Sequence, residues 1–187
     1  MLFRSQSGLD FLARSAVSWQ DTNQCYGCHV QAVTLEALSV GQSHQYSVPA
    51  PAIRAMKAGL TTLDGGTRSP GGLRYAHGGS LVAASRGFGG ASLARYDALV
   101  GDDLRDDLLG VAAQLVELQQ GDGSVRDPEN WVNPPVGTGS PVQLTAQAIA
   151  TWQEAYERTA DEKWLTAVAQ AEDWLHGSSP PAATSRP

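Results

Sequence analysis

The chain has 187 residues, among them 20 glycines and 10 prolines, and it carries a formal charge of −6. This length suits one domain with a sizeable core and is too short for two large ones. The acidic balance, without clustered lysine and arginine, argues against binding of nucleic acid and favours a basic partner or a neutral ligand. No apolar run approaches the roughly 18 to 20 residues that cross a bilayer, so we expect no membrane span.

Helices are predicted in the first third of the chain. Apolar residues recur at helical spacing over Leu9–Trp19, and the pattern runs out in the polar stretch 20–24. A second apolar pattern predicts a loop-to-helix entry over Cys25–Val40, with Gly41 as its stop. A short helix is expected next, over Ala52–Leu63.

The middle of the chain is rich in glycine. Residues Asp64–Gly90 contain too many glycines for a helix to propagate through all of them at about 1 kcal/mol each. We therefore predict a loop there, with one short helical turn at Gly79–Ser85. The clearest amphipathic helix follows, capped by Asp102 or Asp103 and ending before Gly121–Gly123.

The last part of the chain combines a proline-rich loop with two helices. The loop is Arg126–Pro141, and the helices are predicted over Val142–Arg158 and Glu162–His176. Residues 178–187 have nothing to bury and are predicted to be a disordered tail. Because no stretch alternates convincingly between apolar and polar residues, the sequence predicts one all-α domain over residues 1–177, built from helical hairpins with long loops.

One stretch carries a chemical signature. Residues 23–30 read NQCYGCHV and contain both cysteines of the chain, the second followed directly by a histidine. C-x-x-C-H is the attachment sequence of a c-type haem. On this interpretation Cys25 and Cys28 form thioether bonds to the porphyrin, and His29 binds the iron through its neutral imidazole. Zinc binding, a redox dithiol and a structural disulfide remain open as alternatives.

A haem iron commonly takes a sixth ligand, which sets its reduction potential. The candidates are His77, His44 and Met56. We prefer His77, because the glycines in RYAHGGS allow a loop to approach a flat cofactor closely. Met56 lies on an apolar helical face and is expected in the core. A zinc site would instead have to recruit His44 and His77.

A second pattern is an aspartate-rich stretch, GDDLRDD, over residues 101–107. It is similar to the DDxxD sequence of enzymes that bind diphosphate through magnesium. Carboxylates are also typical of helix starts, where they cap the backbone and complement the helix dipole. Since the stretch falls at a predicted helix start, we interpret it as capping.

The C-terminal half resembles the repeats of α/α-toroid proteins, the squalene-cyclase and prenyltransferase-like superfamily. The resemblance rests on LVELQQGDGSV and on TAQAIATWQEAYERTADEKWLTAVAQAEDWL, although Val125 stands where those repeats usually have an aromatic residue. Residues 9–38 look similar to one more helix pair, and bacterial toroid proteins with haem motifs are known. The resemblance implies a partial toroid-like array, which further helical repeats of a longer chain would complete. The D-x-D-D acid motif of the cyclases is absent from the sequence.

Together these features favour a haem-c-binding electron-transfer or redox-sensing module over an enzyme. Haem c is attached outside the cytoplasm, so the motif implies an extracytoplasmic protein with a redox partner protein, although the chain begins without a recognisable signal peptide. The main alternative is a module that binds a glycan, lipid or peptide without covalent haem, in a cavity lined by Trp131, Trp152, Tyr156 or Trp164. A cyclase-like enzyme would need acids in that cavity, for which Glu36, Asp64 and Asp122 are available.

Overall fold

The computed structural model describes residues 2–23, 29–61, 82–101, 104–126 and 140–177 of the chain. Seven helices lie in these ranges: α1 Leu2–Asn23, α2 His29–Ser43, α3 Ala50–Thr61, α4 Val82–Leu99, α5 Arg105–Leu118, α6 Pro141–Thr159 and α7 Glu162–Gly177. Within them the structure has no β-strand, only a single bridge between Gln119 and Val125. The all-α prediction is confirmed.

Three helices, α2, α4 and α6, lie side by side, while α3 packs on both α2 and α4 and α5 packs on both α4 and α6. Helix α1 packs on α2 and α3, and α7 packs on α6. Gly87 of α4 lies against Leu144 of α6, and Gly90 lies against Thr151. From the first contact to the second, the residue number increases in both helices, so α4 and α6 are parallel.

Helix α2 is parallel to α4 as well, because α3 is antiparallel to both. Gly89 of α4 lies against Leu60, and the Lys57 ammonium lies 4.6 Å from the centre of the Tyr96 ring. The short link 44–49 joins α2 to α3, and Gly59 near the end of α3 lies against Gln31 near the start of α2.

The three parallel helices therefore begin at one end of the bundle, which we call the His29 end after the first residue of α2. We call the opposite end, where α4 and α6 finish, the Asp97 end. The described part of the chain has no helix that is both long and apolar enough to span a membrane.

The predicted loop over Asp64–Gly90 is wrong for the part that the structure describes, because α4 begins at Val82 and continues through Gly87, Gly89 and Gly90. A Cβ atom at Gly90 would lie 2.5 Å from Thr151 Oγ1 and 3.0 Å from Val111 Cγ1. The glycines thus let α4 approach its neighbours closely, and packing outweighs the poor helix propensity of glycine.

Gly41 is not the stop of α2, which continues to Ser43. Gly41 is buried, and a Cβ atom there would lie 2.6 Å from Leu9 Cδ1, so it is a contact between α1 and α2. The helix ends where Gln45 adopts a left-handed conformation with φ 64° and the Tyr46 amide donates a hydrogen bond to the Gly41 carbonyl at 3.0 Å.

Helix α5 has the predicted apolar face but not the predicted cap. Its buried residues are Leu108, Val111, Ala112 and Leu115. The capping position is occupied by Leu104, which has no side-chain acceptor, and Asp102 and Asp103 lie outside the described residues. Instead, the Leu104 amide donates to Asp97 Oδ1 at 3.4 Å, so a carboxylate of the preceding helix approaches the start of α5.

The turn after α5, which carries the toroid resemblance, ties three helices together. Gln119 Nε2 donates to the Ala167 carbonyl of α7 at 2.9 Å, and the Val125 amide donates to Thr145 Oγ1 of α6 at 2.9 Å. Val125, in the place of the usual aromatic residue, is fully buried. Gly123 has φ 92°, and a Cβ atom there would lie 2.1 Å from the Gln170 carbonyl oxygen, so this turn requires glycine.

The two C-terminal helices match their predicted ranges closely. Helix α6 has Ser140 as its cap, whose side chain accepts a hydrogen bond from the Gln143 amide, and Pro141 in its first turn. It ends at Ala160, which has a left-handed φ of 52°. The toroid arrangement itself remains an expectation from the resemblance.

Candidate functional site

Several of the residues predicted to form the site lie outside the described ranges. These are Cys25, Cys28 and His77. The candidate acid Asp64 and the candidate cavity residue Trp131 also lie outside the described ranges. The site is therefore built from His29 and from the side chains that surround it.

His29 is the first residue of α2, and its side chain is exposed. Its imidazole contacts the ring of Phe88 on α4, with the ring centres 6.0 Å apart and the planes tilted by 57°. Phe88 itself is 7% exposed. The imidazole thus rests on a buried aromatic ring while part of its surface stays open to solvent.

Two exposed valines of α2 share a helix face with His29. Val33 and Val40 follow at helical intervals on the same face and are 57% and 38% exposed. Val33, one turn from His29, is exposed apolar surface that a cofactor attached beside the imidazole would be able to cover. The half-buried Glu36 lies between the two valines along this face.

Two neighbouring helices end near His29. The amide of the buried Gln31 side chain donates to Gln20 Oε1 of α1 at 3.5 Å. Arg86, which is 6% exposed, donates from Nη1 to the Leu60 carbonyl in the last turn of α3 at 3.4 Å. A cation suits the partial negative charge at the end of a helix, so Arg86 stabilises the end of α3 at this position.

The structure separates two of the sixth-ligand candidates from His29. His44 follows the opposite end of α2, about 22 Å away at 1.5 Å per residue. Met56 is fully buried in the hydrophobic core, as its sequence pattern predicts. His44 thus lies at the opposite end of α2 from His29, and Met56 is enclosed by core residues.

The three described aromatic residues proposed for a ligand cavity, Trp152, Tyr156 and Trp164, pack against the core. Trp152 is fully buried and donates from Nε1 to the Ala112 carbonyl at 3.0 Å. Trp164 is 3% exposed and donates to Thr159 Oγ1 at 3.0 Å, while Tyr156 packs partly buried against the core. These contacts join α5, α6 and α7.

The acidic candidates do not converge in the described part of the chain. Asp106 and Asp107 are exposed in the first turn of α5, where they complement the helix dipole. Asp122 accepts hydrogen bonds from Ser124 and pairs with Arg126 at 2.6 Å. Among the described residues no group of three or more His, Cys, Asp or Glu side chains is placed to hold a metal ion.

No protein-family model, curated protein or solved structure matches this chain. Its function is therefore inferred from its own residues.

Sequence reasoning identified His29 but missed Phe88 and Arg86. Both lie in SRGFGG, within the stretch predicted to be a loop because of its glycines. The sequence feature that could have indicated a helix is that Arg86 and Phe88 stand between small residues. Small residues allow a helix to pack closely against its neighbours.

Proposed function

We propose that the protein is a haem-c-binding electron-transfer or redox-sensing module on an all-α scaffold. The observation that carries the proposal is the position of His29. The histidine of the C-x-x-C-H sequence is the first residue of α2, and its imidazole is exposed. It is therefore accessible to a planar cofactor attached through the two cysteines before it.

The side chains around His29 suit such a cofactor. A porphyrin supplies four nitrogen ligands itself, so a single histidine suffices as the protein's ligand on one side. The exposed Val33, one turn further along α2, offers apolar contact near the imidazole, and the buried Phe88 ring packs against the imidazole itself. Bound haem c would supply a one-electron Fe(III)/Fe(II) couple.

Attachment requires only the two thiols and two vinyl groups. Cys25 and Cys28 would hold the haem: each S–H would add across one C=C bond, so that the sulfur would bond to the carbon next to the ring and the hydrogen would end on the outer carbon. No oxidant or reductant is consumed. His29 has to be neutral to bind the iron, as a metal-bound imidazole is.

For the sixth position His77 remains our candidate. With His44 about 22 Å from His29 along α2, His44 is the less favourable of the other two sequence candidates. An extracytoplasmic location follows from the attachment chemistry and is part of the same proposal.

The distribution of charge refines the expected redox partner. Fifteen of the 19 acidic residues lie from Asp97 onward, whereas eight of the 13 basic residues precede it. Although the net charge of the whole chain favours a basic partner, the sequence that contains His29 is net positive. The net charge of the whole chain therefore does not describe the part of the sequence that a redox partner of the haem would approach.

The test is a pyridine haemochrome spectrum of protein produced together with a haem-c maturation system. We expect a c-type band that survives denaturation, and its loss when Cys25 and Cys28 are both replaced by serine. In the visible spectrum of the native protein, recorded without pyridine, His29→Ala should show altered iron coordination, whereas the matched control His44→Ala should leave that spectrum unchanged. Folded protein without a c-type band would refute the proposal.

The alternative of a ligand-binding module makes the opposite prediction for the cysteines. It requires the double serine variant to keep both its fold and its ligand. The burial of Trp152 and Trp164 weakens this alternative, because core residues cannot line an open cavity.

A further inference from the structure

We infer that Phe88 is a positioning residue, whose ring holds the His29 imidazole in the orientation in which it binds the iron. The inference rests on the proposed haem function and names a residue on a different helix, remote from the C-x-x-C-H sequence. It concerns the orientation of the ligand and not its identity.

The contact between the two rings has a defined geometry. The centres are 6.0 Å apart and the planes are tilted by 57°. The distance lies in the range of favourable aromatic pairs, and the rings meet at an intermediate tilt, neither stacked nor perpendicular. Such a pair restricts the rotation of the imidazole about its side-chain bonds.

Phe88 is well placed to impose this restriction, because the backbone on both sides of it is held by packing. A Cβ atom at Gly87 would lie 3.4 Å from Leu144 of α6, and one at Gly89 would lie 3.5 Å from Leu60 of α3, so α4 is in close contact with both neighbours on either side of Phe88. The Phe88 carbonyl accepts a hydrogen bond from Ser92 Oγ at 3.0 Å. The buried ring is thus a fixed support, whereas His29 is an exposed residue at a helix start.

Within the part of the chain that the structure describes, Phe88 is the ring that the imidazole contacts. Groups behind a metal-binding histidine set the direction of its ring and thereby tune the metal. For a haem, the orientation of the axial ligand affects the reduction potential and the spectrum of the ferric state. Phe88 provides this support through an aromatic contact.

The test compares Phe88→Leu, which removes the ring, with Phe88→Tyr, which keeps it. The control is Phe11→Leu, since Phe11 is 63% exposed on α1. At a fixed redox poise we expect Phe88→Leu to change the ratio of oxidised to reduced protein by about two- to tenfold, the range that corresponds to one aromatic pair. The ferric EPR spectrum should change with it, while Phe88→Tyr and Phe11→Leu should resemble the wild type.

A second readout does not require haem. In the full chain produced without maturation and kept reduced, the NMR signals of the His29 ring protons should lose their ring-current shift in Phe88→Leu and keep it in Phe88→Tyr. If Phe88→Leu does not fold, Phe88→Met fills the same space with a flexible side chain and serves in its place.

The outcomes separate the two proposals. Absence of a c-type haem refutes the proposed function, and the NMR comparison then still decides whether Phe88 orients His29. If haem attaches but Phe88→Leu leaves the potential and the EPR spectrum unchanged, the positioning role is overturned and the haem function stands. If Phe88→Tyr behaves like Phe88→Leu, packing and not the aromatic contact is responsible, which also overturns the inference.

Discussion

At the Asp97 end of the bundle a partly buried ion pair joins the helices, whereas at the His29 end an exposed imidazole packs on one aromatic ring and glycines allow the helices to approach closely. Arg158 of α6 contacts Asp97 of α4 at 2.6 Å and also pairs with Glu154, while Arg105 of α5 donates to the Arg158 carbonyl at 2.9 Å. The polar groups at the Asp97 end are engaged with one another, and the His29 side chain remains accessible for chemistry.

The electrostatics of the Asp97 end are consistent with a structural role. Partial burial opposes the charged form of Arg158, but the hydrogen bond that Arg158 donates to Asp97 and the charge of Glu154 outweigh it and raise the pKa of Arg158. The Asp97 side chain is fully buried. A carboxylate in this position depends on its partner, because an unpaired buried charge is costly.

The largest effect is expected from breaking this pair. Arg158→Met leaves the Asp97 carboxylate buried without its cation and should lower the free energy of unfolding by about 3 kcal/mol or more. Urea denaturation measures the change. Lys163→Met is the matched control, since its pair with Asp161 is 59% and 43% exposed, and it should cost less than about 1 kcal/mol. Equal losses in the two variants would show that the Asp97 end is not held by its ion pair.

A smaller effect is expected where α4 meets its neighbours. Gly90→Ala places a Cβ atom 2.5 Å from Thr151 Oγ1, so α4 and α6 must separate, at a cost of about 1–3 kcal/mol. Gly110→Ala on α5 has no atom within 4 Å of the new Cβ and should instead stabilise the protein by about 0.5–1 kcal/mol. Opposite signs in thermal denaturation would show that the glycines of α4 serve packing. Stabilisation by both variants would contradict the close contact.

These glycines also show the limit of what the sequence predicts. The apolar periodicity of α5, α6 and α7 predicted those helices to within a few residues, because each buries one continuous stripe. The sequence does not predict helix α4, because its glycines pack against three neighbouring helices. The need for small residues at those contacts is visible only in the tertiary structure. For the site, the sequence predicts that His29 enters a helix, but the contact with Phe88 depends on how α2 and α4 pack.

At the His29 end we expect replacement of the imidazole to have little effect on stability. His29→Ala in protein without haem should change the free energy of unfolding by less than about 1 kcal/mol, since the side chain is exposed and loses one ring contact. Met56→Ala, at the buried sixth-ligand candidate, should cost about 2–5 kcal/mol. A large loss for His29→Ala would mean that the imidazole is a structural element and not an accessible ligand.

The smallest effect concerns a second carboxylate, Asp122, in the turn near the start of α6. The hydrogen bond from the Ser124 hydroxyl, followed by that from the Ser124 amide, lowers the pKa of Asp122 below its ordinary value of 3.8. A lowered pKa in the folded state adds stability above pH 3.8, and this stability is lost as the pH falls through the folded pKa. We therefore expect Asp122→Asn to reduce stability slightly at neutral pH and to match the wild type in strong acid. Urea denaturation at a series of pH values measures this, and a difference that persists unchanged into strong acid would show that Asp122 acts through its shape and not its charge.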